Sequence, residues 1–233
     1  MTFVLYGRNP IREALRAGRR PVHRVWATRG AAAEPWLRDV EVLEARPEDI
    51  AARAGSDAHQ GLCAETDPYP YVGAPELLDR RDPLLVALDE LQDPQNLGAI
   101  CRTAECVGAD GVVIPERRSA DVTPAVCKAS AGAVEHLAIA RVRNLADFLG
   151  DAKEAGSWCY GAAAEGGAPY LEPDYRGSCV LVIGAEGRGL RPRVAAACDQ
   201  LVALPLRGHV QSLNASAAAA ALLYGILQRR ESA

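Results

Sequence analysis

A chain of 233 residues that is 49% hydrophobic can bury a sizeable core, as one large domain or as a small domain joined to a medium one, which excludes a disordered chain. Its seven cysteines are scattered, odd in number and never spaced C-x-x-C, and no run approaches the roughly 18 apolar residues of a membrane span, so no metal, disulfide framework, signal peptide or membrane anchor is expected and a reducing cytoplasm is. The formal net charge of −4 is uneven: residues 1–30 hold seven arginines against one acid, residues 31–100 hold fifteen acids against five arginines, and the remainder is balanced at fourteen each.

The opening reads as a short helix that Asn9 caps, that Pro10 starts and that Gly18 ends, with Ile11, Ala14 and Leu15 as its apolar side. Arg8, Arg12 and Arg16 fall at four-residue steps along one side of it, which suits a contact that follows a phosphate backbone. A solvated helix face in an arginine-rich protein, with 24 arginines to 2 lysines, accounts for the same charge, and charge alone does not separate the two. Beyond it the pattern predicts a strand at 22–28, a helix at 34–40, a short strand at 41–43, a helix at 47–54 and a strand at 61–65. Residues 1–66 thus form a small α/β unit. Residues 67–82, with Pro68, Pro70, Gly73, Pro75 and four acids, read as a linker.

Residues 83–233 are more regular. Apolar runs at 84–88, 111–114, 137–142, 158–162, 179–184 and 201–206 alternate with helical patterns, and an alanine-rich helix runs to about Gln228. Continuous apolar strands alternating with helices predict a parallel sheet covered on both faces, whose ligand lies beyond the carboxyl ends of the strands.

Three segments follow strand ends. The first runs from Leu88 to Gly108, where a turn at Asp93-Pro94 leads into a helix carrying Asn96, Gly98 and Arg102; Arg102 could clamp a phosphate with its forked donors, or be an ordinary exposed arginine. The second, 179–190, runs a buried strand into glycines with Glu186 among them; it has neither the lysine of a Walker loop nor the dinucleotide spacing. The third, 204–216, leads into the last helix, which Ser212, Asn214 or Ser216 could cap; His209, a loop histidine without a carboxylate partner, is assigned no role.

In order, these segments resemble the three motifs of the SpoU family of RNA ribose 2'-O-methyltransferases, within the SPOUT class. The resemblance rests on D-P-x-N-x-G-x-I-x-R-T-A at 93–104, G-A-E-G-x-G-L at 184–190 and P-x-x-G-x-V-x-S-L-N-x-S at 205–216. The stretch 128–137 is similar to the family too, and the opening at 7–15 is similar to the substrate-binding domain of its ribosomal RNA members. Gln211, where many relatives carry glutamate, is a departure that weakens the subfamily assignment more than the activity.

The resemblance implies a parallel-sheet SPOUT domain with a C-terminal trefoil knot, a homodimer, and S-adenosylmethionine held by the knot loops. Gly184, Gly187, Leu204, Leu206 and Leu213 would then contact the cofactor, and Asn96, Arg102, Glu186, Ser212 and Asn214 would surround the reacting centre. Arg8, Arg12 and Arg16 would hold RNA. A methyl transfer needs the 2'-oxygen in line with the methyl–sulfonium bond, so positioning should supply much of the rate. A guanidinium is a poor base, which favours Arg102 as phosphate clamp and electrostatic stabiliser over Arg102 as proton acceptor. The implied substrate is a guanosine of 23S ribosomal RNA. A transfer RNA ribose methyltransferase and a non-catalytic ribosome-associated RNA-binding protein are the alternatives.

Overall fold

The computed structural model describes residues 3–232. At the N-terminal end, strands β1 (Phe3–Tyr6), β2 (Val22–Ala27), β3 (Val42–Glu44) and β4 (Leu62–Thr66) form a sheet in the order β1-β4-β2-β3, with helices α1 (Arg8–Ala17) and α2 (Pro47–Ala54) between them. Gly18 ends α1 in the left-handed conformation, its N–H reaching Ala14 O at 3.1 Å, as the sequence predicts.

Asn9 does not cap α1. The chain enters the helix at Gly7, with φ at +91°, and Asn9 lies inside the first turn. A Cβ at Gly7 would overlap the end of the Lys128 side chain, so glycine serves the turn and the close approach together. The helix predicted at 34–40 shrinks to a single 3-10 turn, Pro35–Leu37, in which only Leu37 is buried. Strand β1, which the sequence pattern missed, pairs antiparallel with β4.

Residues 67–82 are not a free spacer. They contain α3 (Ala74–Leu78), the fully buried Leu77, and the buried Tyr69, whose hydroxyl donates to Leu137 O at 2.6 Å. Val72 donates to Ile139 O at 3.0 Å, bridging onto the second sheet.

That sheet is wholly parallel. Its strands are β5 (Leu84–Asp89), β6 (Gly111–Pro115), β7 (Ile139–Val142), β8 (Trp158–Ala163), β9 (Ala168–Pro169), β10 (Cys179–Gly184) and β11 (Gln200–Ala203), in the order β7-β6-β5-β10-β8-β11-β9. Alternate strand residues feed opposite faces. Leu84, Val86, Leu88, Leu181 and Ile183 pack with α4 (Pro94–Cys106) and α8 (Ala215–Glu231); Leu85, Ala87, Val113, Val180 and Val182 pack with α3, α6 (Leu145–Glu154) and α7 (Pro192–Ala197). Burial on both faces is why the strands read as unbroken apolar runs. The predicted α/β architecture of a small N-terminal unit and a parallel-sheet domain holds.

The two units share one apolar cluster, running from Leu5 and Ile11 through Val126 and Val134 to Leu97 and Leu222; Val126 lies in α5 (Pro124–Ala129). Across this junction Arg20 and Glu135, each with a side chain only 1% exposed, form an ion pair. Arg20 also donates to Asp67 O at 3.0 Å and stacks on the Phe3 ring. Two of the seven arginines counted in residues 1–30, Arg19 and Arg20, therefore face inward: Arg19 donates to Leu137 O and lies over the Tyr69 ring.

Candidate active site

Strands β5 and β10 are neighbours in the sheet, with Asp89 in register with Gly184, so the first and second motif loops leave the same edge side by side. The order of strands reverses at this point, which is where open α/β sheets bind their ligands. Asp93 caps α4 by accepting from Gln95 N at 2.9 Å, and Pro94 occupies the first turn. Gly98 lets α4 lie directly on α5: a Cβ there would overlap the backbone at Ala129 and Ser130.

The last helix settles the orientation of three side chains. Asn214 caps α8, its Oδ1 accepting from Ser216 N at 2.9 Å, Ala217 N at 3.2 Å and Ser216 Oγ at 2.6 Å. With its oxygen committed to the cap, its Nδ2 must face away, toward Asn96 Oδ1 at 3.0 Å and Glu186. Asn96, only 5% exposed, then presents its own Nδ2 to Glu186 Oε1 at 3.0 Å. One residue from each motif thus meets in a network whose amide orientations follow from a helix cap. Glu186 lies on an exposed loop, and the network engages its Oε1.

Beside this network lies a cleft of 590 Å³, lined by the loops after β10 and β11 and by α8. Gly184, Gly187, Leu204, Leu206 and Leu213 line it, with Glu186 and Ser212. Gly184 is forced: a Cβ there would overlap the backbone of Gly189 and Leu190, which folds back against it, with Ala185 bridging Gly189. The apolar part of the wall comes from Leu204, Leu206 and Leu213, of which Leu206 and Leu213 are exposed. The lining suits a partly apolar ligand with a polar end near Glu186.

Arg102 stands apart. It sits in α4 six residues beyond Asn96, roughly 9 Å along the helix axis, exposed and without an ion-pair partner among the described residues. Arg8, Arg12 and Arg16 lie on α1 and are not all free: Arg8 pairs with Glu34 at 2.7 Å, and Arg12 and Arg16 flank Glu13 at 2.9 and 3.2 Å. Burial alone would raise the carboxyl of Glu13, but hydrogen bonds from His136 and Arg12 and the charges of Arg16 and Arg12 hold it below the ordinary carboxylate range. All three side chains remain solvent-accessible, at 51%, 43% and 69%.

Sequence reading missed Arg191. Its backbone N–H and its Nε each reach the buried carboxylate of Asp89 at 2.8 Å, and its guanidinium lies 3.2 Å from Glu90, which ties the loop after β10 to the end of β5. The signal was present: an aspartate closing an otherwise apolar strand needs a partner if it is buried. Burial pushes the Cys101, Cys127 and Cys159 thiols up to about 12, which removes them as nucleophiles. Among the described residues no three His, Cys, Asp or Glu side chains group as metal ligands would, and no helix is long and apolar enough to cross a membrane.

Comparison with known proteins agrees with this geometry. Residues 83–224 match the SpoU rRNA Methylase family, and residues 4–72 match a domain described as RNA 2'-O ribose methyltransferase substrate binding. An uncharacterized tRNA/rRNA methyltransferase of Synechocystis is 40% identical over 97% of the chain, which spans 62% of that relative's length. A Bacillus subtilis protein that bears the name of a TrmH family tRNA/rRNA methyltransferase, YacO, is 36% identical over 96% of the chain and 94% of its own length. The crystal structure of an S-adenosylmethionine-bound rRNA methyltransferase from Sinorhizobium meliloti superposes with a TM-score of 0.82 at 27% identity, over 97% of this chain and 87% of that one. With the match over 83–224 and the three motifs meeting at one edge of the sheet, the chain belongs to the SpoU methylase family.

Proposed function

We propose that the protein transfers the methyl group of S-adenosylmethionine to a ribose 2'-hydroxyl of large-subunit ribosomal RNA, with a guanosine of 23S RNA as the target. The observation that carries this reading is the trio Asn96, Glu186 and Asn214 beside the cleft that Gly184, Gly187, Leu204, Leu206 and Leu213 line together with Glu186. The cleft would hold the cofactor, with the glycines allowing its close approach to the backbone and the leucines covering its apolar surface. Glu186, fixed by two amides, and Ser212 would orient the ribose; Arg102 would clamp its phosphate, and Arg8, Arg12 and Arg16 would grip RNA farther away. The domain at 4–72 and the likeness to an rRNA methyltransferase over 97% of the chain favour ribosomal over transfer RNA.

On this reading residues 1–66 recognise RNA, 67–82 join the units and 83–233 catalyse, the chain passing through the C-terminal knot that the resemblance implies. The exposed Val210, Leu213 and Tyr224, on the third motif loop and α8, would be covered in a homodimer, checked by sedimentation, and the protein would work in the cytoplasm.

The cofactor assignment makes a direct prediction. Gly184→Ala inserts a methyl group where backbone already lies, an overpacking that costs about 1–3 kcal/mol. The loop must shift, and affinity for S-adenosylmethionine by calorimetry should fall about tenfold or more; unchanged affinity would place the cofactor elsewhere. The function itself is tested by incubating the protein with labelled S-adenosylmethionine and, separately, unmodified large-subunit RNA and bulk transfer RNA, then mapping the label. Label on a ribose 2'-oxygen of the ribosomal RNA is expected. Label only in transfer RNA would overturn the substrate, and label in neither, with intact ribosomal particles also unmodified, would favour a binding protein.

A further inference from the structure

A concentration of positive charge lies away from the residues so far assigned to RNA or cofactor. At the carboxyl edge of the large sheet, on the α6 and α7 side, a concavity of 300 Å³ is walled by Arg117, Arg118, Arg143, Arg191 and Arg193, with Glu90 the one carboxylate in its lining. Arg117 and Arg118 follow the end of β6, Arg143 follows β7, and Glu90 follows β5, so three adjacent parallel strands deliver these groups to one place.

The arginines are not equivalent. Arg191 is held by Asp89 and Glu90, Arg118 lies 3.4 Å from Glu90, and Arg193 lies 2.6 Å from Asp147. Arg117 and Arg143 have no ion-pair partner among the described residues, and both are exposed. The N-terminus of α6, a ten-residue helix, opens onto the same concavity through Asn144 and Ala146 and adds the positive end of its dipole. Glu90 and Arg118, which face each other across the wall, both have left-handed backbone, with φ at +56° and +58°. Holding two non-glycine residues that way costs of order 1 kcal/mol each and lets one carboxylate brace two guanidinium groups.

With Arg118, Arg191 and Arg193 answered by carboxylates, Arg117 and Arg143 keep their donors open to an anion brought to the concavity. Leu190, next to Arg191, lines the cofactor cleft, so the concavity adjoins the reacting edge. We infer that it is a second phosphate site, in which Arg117 and Arg143 grip the RNA backbone some nucleotides from the target ribose. The inference rests on the RNA substrate proposed above. Forked guanidinium donors match phosphodiester oxygens, and the site carries no base-reading geometry, so it would add affinity and orientation without sequence preference.

The test uses the whole protein, with unmodified large-subunit ribosomal RNA as probe, and compares wild type with Arg117→Ala/Arg143→Ala and Arg117→Lys/Arg143→Lys. Losing two phosphate contacts should lower the slope of log affinity against log salt by about 1.4–1.8. KM for RNA should rise about tenfold or more while kcat and S-adenosylmethionine affinity stay near wild type, and the lysine variant should keep most of the salt slope. Unchanged RNA affinity and slope in the alanine variant, with wild type still methylating the RNA, would overturn the second site and leave the proposed function standing. Failure of wild type to bind RNA at all would overturn both. An alanine variant that loses only binding of inorganic phosphate, followed by calorimetry, would make this a small-anion site and also overturn the inference.

Discussion

Arg102→Ala is expected to lower the rate of methyl transfer to RNA by at least the 10²–10³-fold range, on the order of what removal of one preorganised electrostatic group costs. Affinity for S-adenosylmethionine should stay within about twofold, because a group that acts on the transition state need not touch the bound cofactor. The reasons are positional. Arg102 lies on the exposed side of α4, whose first turn holds Asn96 in the Glu186 network, and its charge is engaged by no carboxylate among the described residues. Arg102→Lys keeps the charge but loses the planar fork, so it should recover only part of the rate. Single-turnover methylation with saturating cofactor, alongside calorimetry, separates the two quantities. A steep loss of cofactor binding would contradict the clamp role, and so would near-normal turnover in the alanine variant.

The second large effect concerns stability. Arg20→Ala would strand the carboxylate of Glu135, whose side chain is 1% exposed, and breaking such a pair costs about 3–5 kcal/mol. Against a typical total of roughly 5–15 kcal/mol, that is enough to unfold a large share of the molecules on mild heating. Burial disfavours the charged form of Arg20, and the hydrogen bond and charge of Glu135 more than offset it, so the guanidinium is held above its ordinary pKa. Replacing both partners by apolar residues, Arg20→Met with Glu135→Leu, should restore much of the stability, since it removes the stranded charge along with its partner. Urea denaturation of the three proteins provides the check. A loss under about 0.5 kcal/mol for Arg20→Ala would mean that water reaches Glu135 and that the junction is looser than its packing implies.

The large sheet was legible because its strands are buried on both faces, and unbroken apolar runs such as Leu84 to Leu88 have no other easy explanation in an α/β chain. The small strand β1 was not: four residues at the chain start, one of them buried, carry too little pattern to stand out. Residues 67–82 misled for the opposite reason, because three prolines hid the fact that Tyr69 and Leu77 are core residues. At the site, motif spacing gave Asn96, Glu186 and Asn214 one by one. That a helix cap at Asn214 would orient Asn96, 118 positions away, and that Arg191 would lock onto Asp89, depends on strands β5 and β10 lying side by side, which local pattern does not encode. The basic opening was legible as charge but not as geometry, since only the folded chain shows Arg19 and Arg20 turned inward and Glu13 shared between Arg12 and Arg16.

The shared core between the two units fixes a length. Helix α1 rests on the segment 133–136 and on α5, which packs in turn on α4, and the buried Arg20–Glu135 pair closes the seam. No pivot interrupts that stack of side chains. On the proposed reading the protein therefore works as a caliper: the span from the arginines of α1 to the methyl donor is set by the protein, and an RNA is accepted only if its own fold, or its willingness to bend, brings one ribose to the far jaw. Selection of the modified nucleotide then becomes a measurement of distance along a folded RNA rather than a reading of letters.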